Sequence, residues 1–310
     1  MGSAALIELA ASAHGSRIRL LSNLPFLAVH AGCLGVLWTG VSTVALAAAA
    51  AGYLARMFFI TAFYHRYFSH RTFRAGRLVQ FVMALTGTTA GQRGPIWWAA
   101  HHRHHHQHAD DEPDLHSPTL RGFWMSHCGW FLTDAAQSSP ERYARDWRAL
   151  PELRLLDRFY WVGPALWAGG CAALGEALDH HAPQLGTGPM QMLVWGFCIS
   201  TVLVYHATYC INSLAHRWGR RRFETPDKSR NSLILALMTL GEGWHNNHHR
   251  FPACARQGFR WWEIDISYYL LRALAALRII RGLRPLPGRI LEEARRADSA
   301  RNGARARGAP

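Results

Sequence analysis

Apolar residues along this chain are gathered into two long stretches. From Leu24 to Ala55 no side chain carries a charge, and from Phe159 to His216 there is no lysine or arginine. Each stretch exceeds the roughly 20 residues that cross a bilayer, and each has room for two spans joined by a tight turn. The pattern predicts membrane helices over about 24–41, 43–64, 159–178 and 190–211. Two further apolar runs, Leu78–Thr89 and Leu233–Leu240, are too short to span; the first reads as a buried or re-entrant helix. In Glu263–Leu283, Ile264, Tyr268, Leu271 and Ala275 share one face, which predicts an amphipathic helix lying on lipid or packed as an ordinary cap helix. A mean hydropathy of −0.07 conceals all of this.

Charge placement orients the spans. The turns near Gly40–Thr43 and Asp179–Pro189 carry no Lys or Arg, whereas 1–23, 65–158 and 217–310 hold nearly all of them. Two hairpins put those three segments on one side, which the positive-inside rule makes cytoplasmic, both termini included. The chain thus divides into an interfacial lead-in (1–23), a first hairpin (24–64), a first cap segment (65–158), a second hairpin (159–211), a second cap segment (212–287) and a basic tail (288–310). The tail is poor in large apolar groups and is expected to be disordered. Arg56 breaks the pattern inside the second span and is expected to snorkel. No cleavable signal is expected, because no basic region precedes an apolar core.

The net charge of +14 is partly topological. Nucleic acid is the weakest candidate partner and is not expected, since no helix-turn-helix, zinc finger or RNP pattern appears. Anionic lipid and a phosphorylated carrier share the remaining basic groups as explanations. Cys33, Cys128, Cys171, Cys198, Cys210 and Cys254 form no CxxC pair, which fits a reducing compartment.

The candidate chemistry lies in three histidine clusters, each just after an apolar segment: His65-Arg-Tyr-Phe-Ser-His70, His102-Arg-His-His105-His106 and His245-Asn-Asn-His248-His249. Imidazole is a good transition-metal ligand. Eight rings exceed what one tetrahedral ion can use, so the clusters read as a site for two metals at a membrane edge. On a helix, positions i, i+3 and i+4 share a face. His102, His105 and His106 therefore point one way, as do His245, His248 and His249; Asn212 and His216 form another i, i+4 pair. The five-residue step from His65 to His70 places those rings about 140° apart on a regular helix. They then serve different metals, or the helix ends between them. Spacing also leaves the second cluster open, since His101, His104 and His105 satisfy the same pattern. His30, His180 and His181 read as structural, and His108, His116, His127 and His206 as packed residues or supports for the ligands. Motifs of zinc proteases, serine hydrolases and nucleotide-binding loops are missing. Glu242-Gly-Trp-His245 matches the Glu-x-x-His of soluble di-iron proteins once, which makes Glu242 a supporting group rather than a bridging ligand.

Read together, HRYFSH, HRHHH, NSLAH and HNNHH resemble the membrane-bound fatty acyl-CoA desaturases of the stearoyl-CoA Δ9 type, with GEGWHNNHH, HSP and GFWMSHCGW as finer matches over about residues 24–284. The resemblance implies an all-α integral membrane protein: four transmembrane helices in two hairpins under a cytoplasmic helical cap that holds two irons. It implies His65, His70, His102, His105, His106, His216, His245, His248 and His249 as ligands, with Asn212 acting through water. Because the family writes its second box His-Arg-x-His-His, Arg103 fixes the register on His102; Arg103, Asn246 and Glu242 are implied as supports. The implied reaction is an oxygen-dependent dehydrogenation that makes a cis double bond in a saturated acyl chain. The acyl-CoA thioester is the implied substrate, and electrons come from a separate ferredoxin, rubredoxin or b-type cytochrome. A bacterial inner membrane is the expected location. The rival enzyme class is a histidine-box hydroxylase or alkane monooxygenase; the rival non-catalytic class is a metal-transport protein, which would carry ligands deep inside its spans.

Overall fold

The computed structural model describes residues 17–19, 21–137 and 140–306, and it is built almost wholly of helices. Among the described residues, three helices are long and apolar enough to cross a membrane: α1 (Leu21–Thr39), α2 (Thr43–Ser69) and, later in the chain, Pro189–Ser213. Between them come α3 (Arg77–Thr88), α4 (Pro95–His108), α5 (Pro151–Arg158) and α6 (Val162–His181). Pro189–Ser213 is α7. The cap is completed by α8 (Leu233–Met238), α9 (His245–Arg250), α10 (Ile266–Ala276) and α11 (Gly288–Ala306). At 20 residues α6 has the length of a span, but Glu176, Asp179, His180 and His181 crowd its second half.

The two predicted turns lie together at one end. Gly40 ends α1 with φ of +62°, a left-handed conformation that favours glycine. Ser42 then caps α2 by accepting the Ala45 N–H at 3.0 Å, and its hydroxyl meets that of Thr187 at 2.6 Å. Gln191 and Trp195 donate to the carbonyls of Thr39 and Gly40. Small residues let α2 and α7 pack closely: a Cβ on Gly52 would sit 3.3 Å from the Gly196 carbonyl oxygen.

Arg56 does not snorkel. Its side chain is fully buried, donates to Gly52 O, Thr201 and Ser200, and lies 4.9 Å over the Trp167 ring. Neutral acceptors from α2 and α7 and the indole of α6 solvate it, so it ties three helices together.

Two cap expectations are also corrected. The amphipathic helix is shorter than Glu263–Leu283. Asp265 starts α10 by accepting the Tyr268 N–H, and after Ala276 the chain turns through Arg278 at φ of +58°. Ile280–Arg281 (β2) then pairs antiparallel with Arg74–Ala75 (β1), pinning the chain beyond α10 beside the end of α2. The tail is not disordered over its described part: α11 buries Ile290 and Ala294 against Phe223 and Phe259. Sparse apolar residues suffice because the receiving surface supplies the aromatic rings.

Candidate metal centre

The first cluster is shaped by an unusual end to α2. Phe59–Ser69 is wound as a π-helix, in which the backbone bonds i to i+5. The His70 N–H accordingly donates to the His65 carbonyl at 3.2 Å. Winding this wide brings residue i+5 back over residue i, so the two rings lie 4.9 Å apart. The helix ends between them, and both join one group rather than separate ones. Arg103 holds this terminus by donating to Phe68 O at 2.6 Å, Ser69 O at 2.8 Å and Asp146 at 2.8 Å.

Helix α4 presents His102, His105 and His106 to the centre. Pro95 begins it, and Asp157 of α5 accepts the Ile96 and Trp97 N–H groups, both at 2.9 Å. His101 turns away onto Trp97 and Trp130 (4.4 and 5.6 Å between ring centroids), and His104 onto Tyr143. The helix faces thus favour the register that starts at His102. Burial pushes the His104 pKa down to about 4, so that ring is neutral at pH 7. His104→Ala is expected to leave the bound-metal count at the parent's value, because the ring packs on Tyr143 and belongs to neither imidazole group. Loss of a metal, measured by elemental analysis, would contradict this orientation.

The imidazole nitrogens converge in two groups. His65, His70, His102, His106 and His248 form the first, and His105, His216, His245 and His249 the second; within each, the facing atoms lie within 4.8 Å of one another. In the first, His248 Nε2 is 2.9 Å from both His65 Nε2 and His106 Nε2, and His70 Nε2 is 2.8 Å from His102 Nε2. Neighbouring ligands of a six-coordinate ion with bonds of about 2.1 Å lie about 3.0 Å apart, so these separations suit a shared cation. The second group shows an orphan: His249 Nε2 is buried without a hydrogen-bond partner, while its Nδ1 faces Asp227 at 3.1 Å. A neutral ring so held aims a lone pair among His105, His216 and His245.

Protonation of five of the nine rings fits this arrangement, while Asp114 outweighs burial and raises the His105 pKa. Burial first, then the neighbouring imidazoles, pushes His70, His102, His106, His245 and His248 well below the ordinary histidine range. They stay neutral, the form that binds metal. Burial alone would raise the Asp110, Asp114 and Asp227 carboxylates. Their contacts with His216, His105 and His249 respectively outweigh it and hold them below the usual range.

Those aspartates were not singled out from the sequence. The acidic run just after the second cluster was the visible signal for Asp110 and Asp114. Asp110 reaches His216 at 2.8 Å, Asp114 reaches His105 at 3.0 Å, and His116 stacks on His105 at 4.3 Å. Glu242, expected as a supporting group, contacts His65 Nδ1 and accepts from Arg66 at 3.0 Å. Gly241, with φ of +128°, precedes it because a Cβ there would meet Asp265 Oδ1 and Arg66. Asn246, expected as a support, is bound to the loop that precedes α8. Its side chain accepts the N–H groups of Arg222 and Phe223 at 2.8 and 2.7 Å and anchors α9 to that loop. Asn212 lines the cavity with His105 and His245.

That cavity, about 170 Å³, runs past His65, His102, His105 and His245 between walls that include Phe26, Trp97, Trp98, Phe131, Tyr205 and Tyr209. It joins the imidazoles to an aromatic, largely apolar slot between helices.

A profile of fatty acid desaturases matches residues 39–282. The chain belongs to the fatty acid desaturase family. Among curated relatives, the sn-1 stearoyl-lipid 9-desaturase of Anabaena variabilis is 32% identical, over 84% of this chain and 92% of its own length. The icosanoyl-CoA 5-desaturase of Limnanthes douglasii is 34% identical, over 80% and 67%. The Delta-9 acyl-lipid desaturase 2 of Arabidopsis thaliana is 38% identical, over 69% and 66%. Family membership makes the chain an oxidoreductase of the membrane, and both histidine groups fall inside the matched segment. The relatives' carriers and double-bond positions differ, so the resemblance to the stearoyl-CoA type is narrower than the relatives themselves.

Proposed function

We propose that this protein introduces a cis double bond into a saturated fatty acyl chain, at the ninth carbon, using two irons held by the two histidine groups. The observation that carries the reading is the convergence of nine imidazoles in two groups beside an apolar cavity. His65, His70, His102, His106 and His248 would hold one iron. His105, His216, His245 and His249 would hold the other, with Asn212 through water. The irons supply the oxidising power to break unactivated C–H bonds, with oxygen as co-substrate and electrons from a separate ferredoxin, rubredoxin or b-type cytochrome.

The chain's own residues position and exclude. Trp97, Trp98 and the tyrosines confine the acyl chain, so that one pair of methylenes rests beside the imidazoles. Apolar walls keep water from the reacting carbons. Asp110, Asp114, Asp227 and Glu242 accept hydrogen bonds from Nδ1–H of His216, His105, His249 and His65 and leave the opposite nitrogens free as ligands. The architecture proposed is four spans, with α6 as the fourth, and the cap and active site in the cytoplasm of a bacterial cell.

The carrier proposed is coenzyme A, whose phosphates suit the basic cap. A second reading, an acyl chain on a membrane lipid, is favoured by the Anabaena and Arabidopsis relatives. Reconstitution with a reductant, oxygen, and either stearoyl-CoA or stearoyl phospholipid vesicles, followed by mass spectrometry, tests both. A Δ9 alkene from stearoyl-CoA is expected. An alkene from the vesicles alone would transfer the assignment to lipid. A hydroxylated chain without alkene would make the protein a hydroxylase, and an absence of oxygen uptake with either carrier would favour a non-catalytic metal protein.

A further inference from the structure

The carboxylates behind the imidazoles are shared unequally. In the second group Asp114, Asp110 and Asp227 face the Nδ1 atoms of His105, His216 and His249 at 3.0, 2.8 and 3.1 Å. In the first group, among the described residues, Glu242 alone does so, for His65, and Arg66 binds its other oxygen at 3.0 Å. His248, the ring between His65 and His106, has the neutral Gln257 amide 3.4 Å from its Nδ1.

We propose that these residues make the two metal positions electronically unequal, so that the ion of the first group takes the first electron and the ion of the second holds the ferric state longer. The inference rests on the di-iron reading above. Its physical basis is the effect of a carboxylate on a ligated imidazole. An Nδ1–H bond to a carboxylate gives the ring imidazolate character and strengthens its donation to the metal. A fixed negative charge in a low-dielectric interior further favours the more positive ion. Asp114 is 0% exposed and Asp227 is 5% exposed, so water screens neither well. Both effects act three times on the second group. They act once on the first, where the Arg66 guanidinium offsets the carboxylate. Asp110, Asp114, Asp227 and Gln257 are thus positioning residues that tune the ligands. Each ion accepts one electron, Fe3+ to Fe2+, from the reductant, and no covalent bond is made or broken.

The test uses full-length protein loaded with isotopically enriched iron, its metal content counted first. It is reduced stepwise with dithionite and mediators and read by Mössbauer spectroscopy. Two ferrous signals are expected to appear in sequence. Asp227→Asn should ease formation of the later signal by about tenfold in its reduction equilibrium, about 59 mV for one electron, and leave the earlier one in place. Glu242→Gln, which removes the one carboxylate described behind the first group, should ease the earlier signal further and leave the later. Simultaneous reduction of both irons in the parent would overturn the proposal while leaving the di-iron reading intact, and so would an Asp227→Asn effect on the earlier signal. Should Asp227→Asn not retain its iron, Glu242→Gln decides alone: no shift, or a shift of the later signal, overturns it. Fewer than two irons in the parent would overturn the di-iron reading, and this inference with it.

Discussion

Replacing His248 with alanine is expected to empty the first histidine group and abolish turnover. This ring is the hub of its group. Its Nε2 lies 2.9 Å from those of His65 and His106, and its centroid is 4.7 Å from that of His70. Four imidazoles would remain, but His65 and His106 would face a void where the shared ligand stood. Removing a residue that merely supports a metal ligand costs about 10–100-fold in affinity, and removing the ligand itself costs more. Metal content should therefore fall from two irons per chain to about one, with alkene formation down at least about 100-fold. The surviving iron should be that of the second group, which touches different rings. His105→Ala should give the complementary loss. An unchanged iron count with normal product in either variant would remove that residue from the ligand set.

The prediction could be made from sequence because helix geometry is local. The i, i+3, i+4 spacing on α4 and α9 puts three rings on one face whatever the rest of the fold does. Two parts of the site depend on more than that. The π-winding at the end of α2 that pairs His70 with His65 has no marker in HRYFSH itself, since the same residues also suit an ordinary α-helix. Asp114 lies nine residues from His105, but no spacing rule pairs them, and only folding brings Asp110 to His216, 106 residues away. Apolar runs located three of the four expected spans, because a bilayer tests hydropathy over about 20 residues at a time. The same averaging misjudged Arg56 and α11. A single buried cation is tolerated where hydroxyls, a carbonyl and an indole surround it. A polar helix is held where its few apolar residues meet a prepared aromatic surface.

Helix α11 also underlies the second large effect: deletion of residues 288–310 is expected to unseat the third histidine box. The helix buttresses α9 from behind. Glu293 takes Arg250, the residue after His249, in a two-pronged pair at 2.8 and 2.7 Å. Asp298 accepts from Arg220 at 2.6 Å and from Arg222 at 3.1 Å. Arg222 in turn donates to Asn247 at 2.8 Å, inside the box itself. The Arg250 pair is partly exposed and contributes little alone. Buried Ile290 contributes about 1.5–3 kcal/mol. Stripping a buried ion of its partner costs about 3–5 kcal/mol, an upper bound for Arg222 because Glu263 remains beside it. The sum is a large part of the about 5–15 kcal/mol that keeps a typical domain folded. Thermal unfolding of the purified, iron-loaded protein should fall by roughly 10 °C, and iron should be lost on dialysis. Asp298→Asn should shift unfolding in the same direction by less, because it keeps the helix and removes one charge. A truncated protein with the parent's melting temperature and two tightly held irons would show that α9 stands without its buttress, and that the chain beyond Pro287 is dispensable to the metal centre.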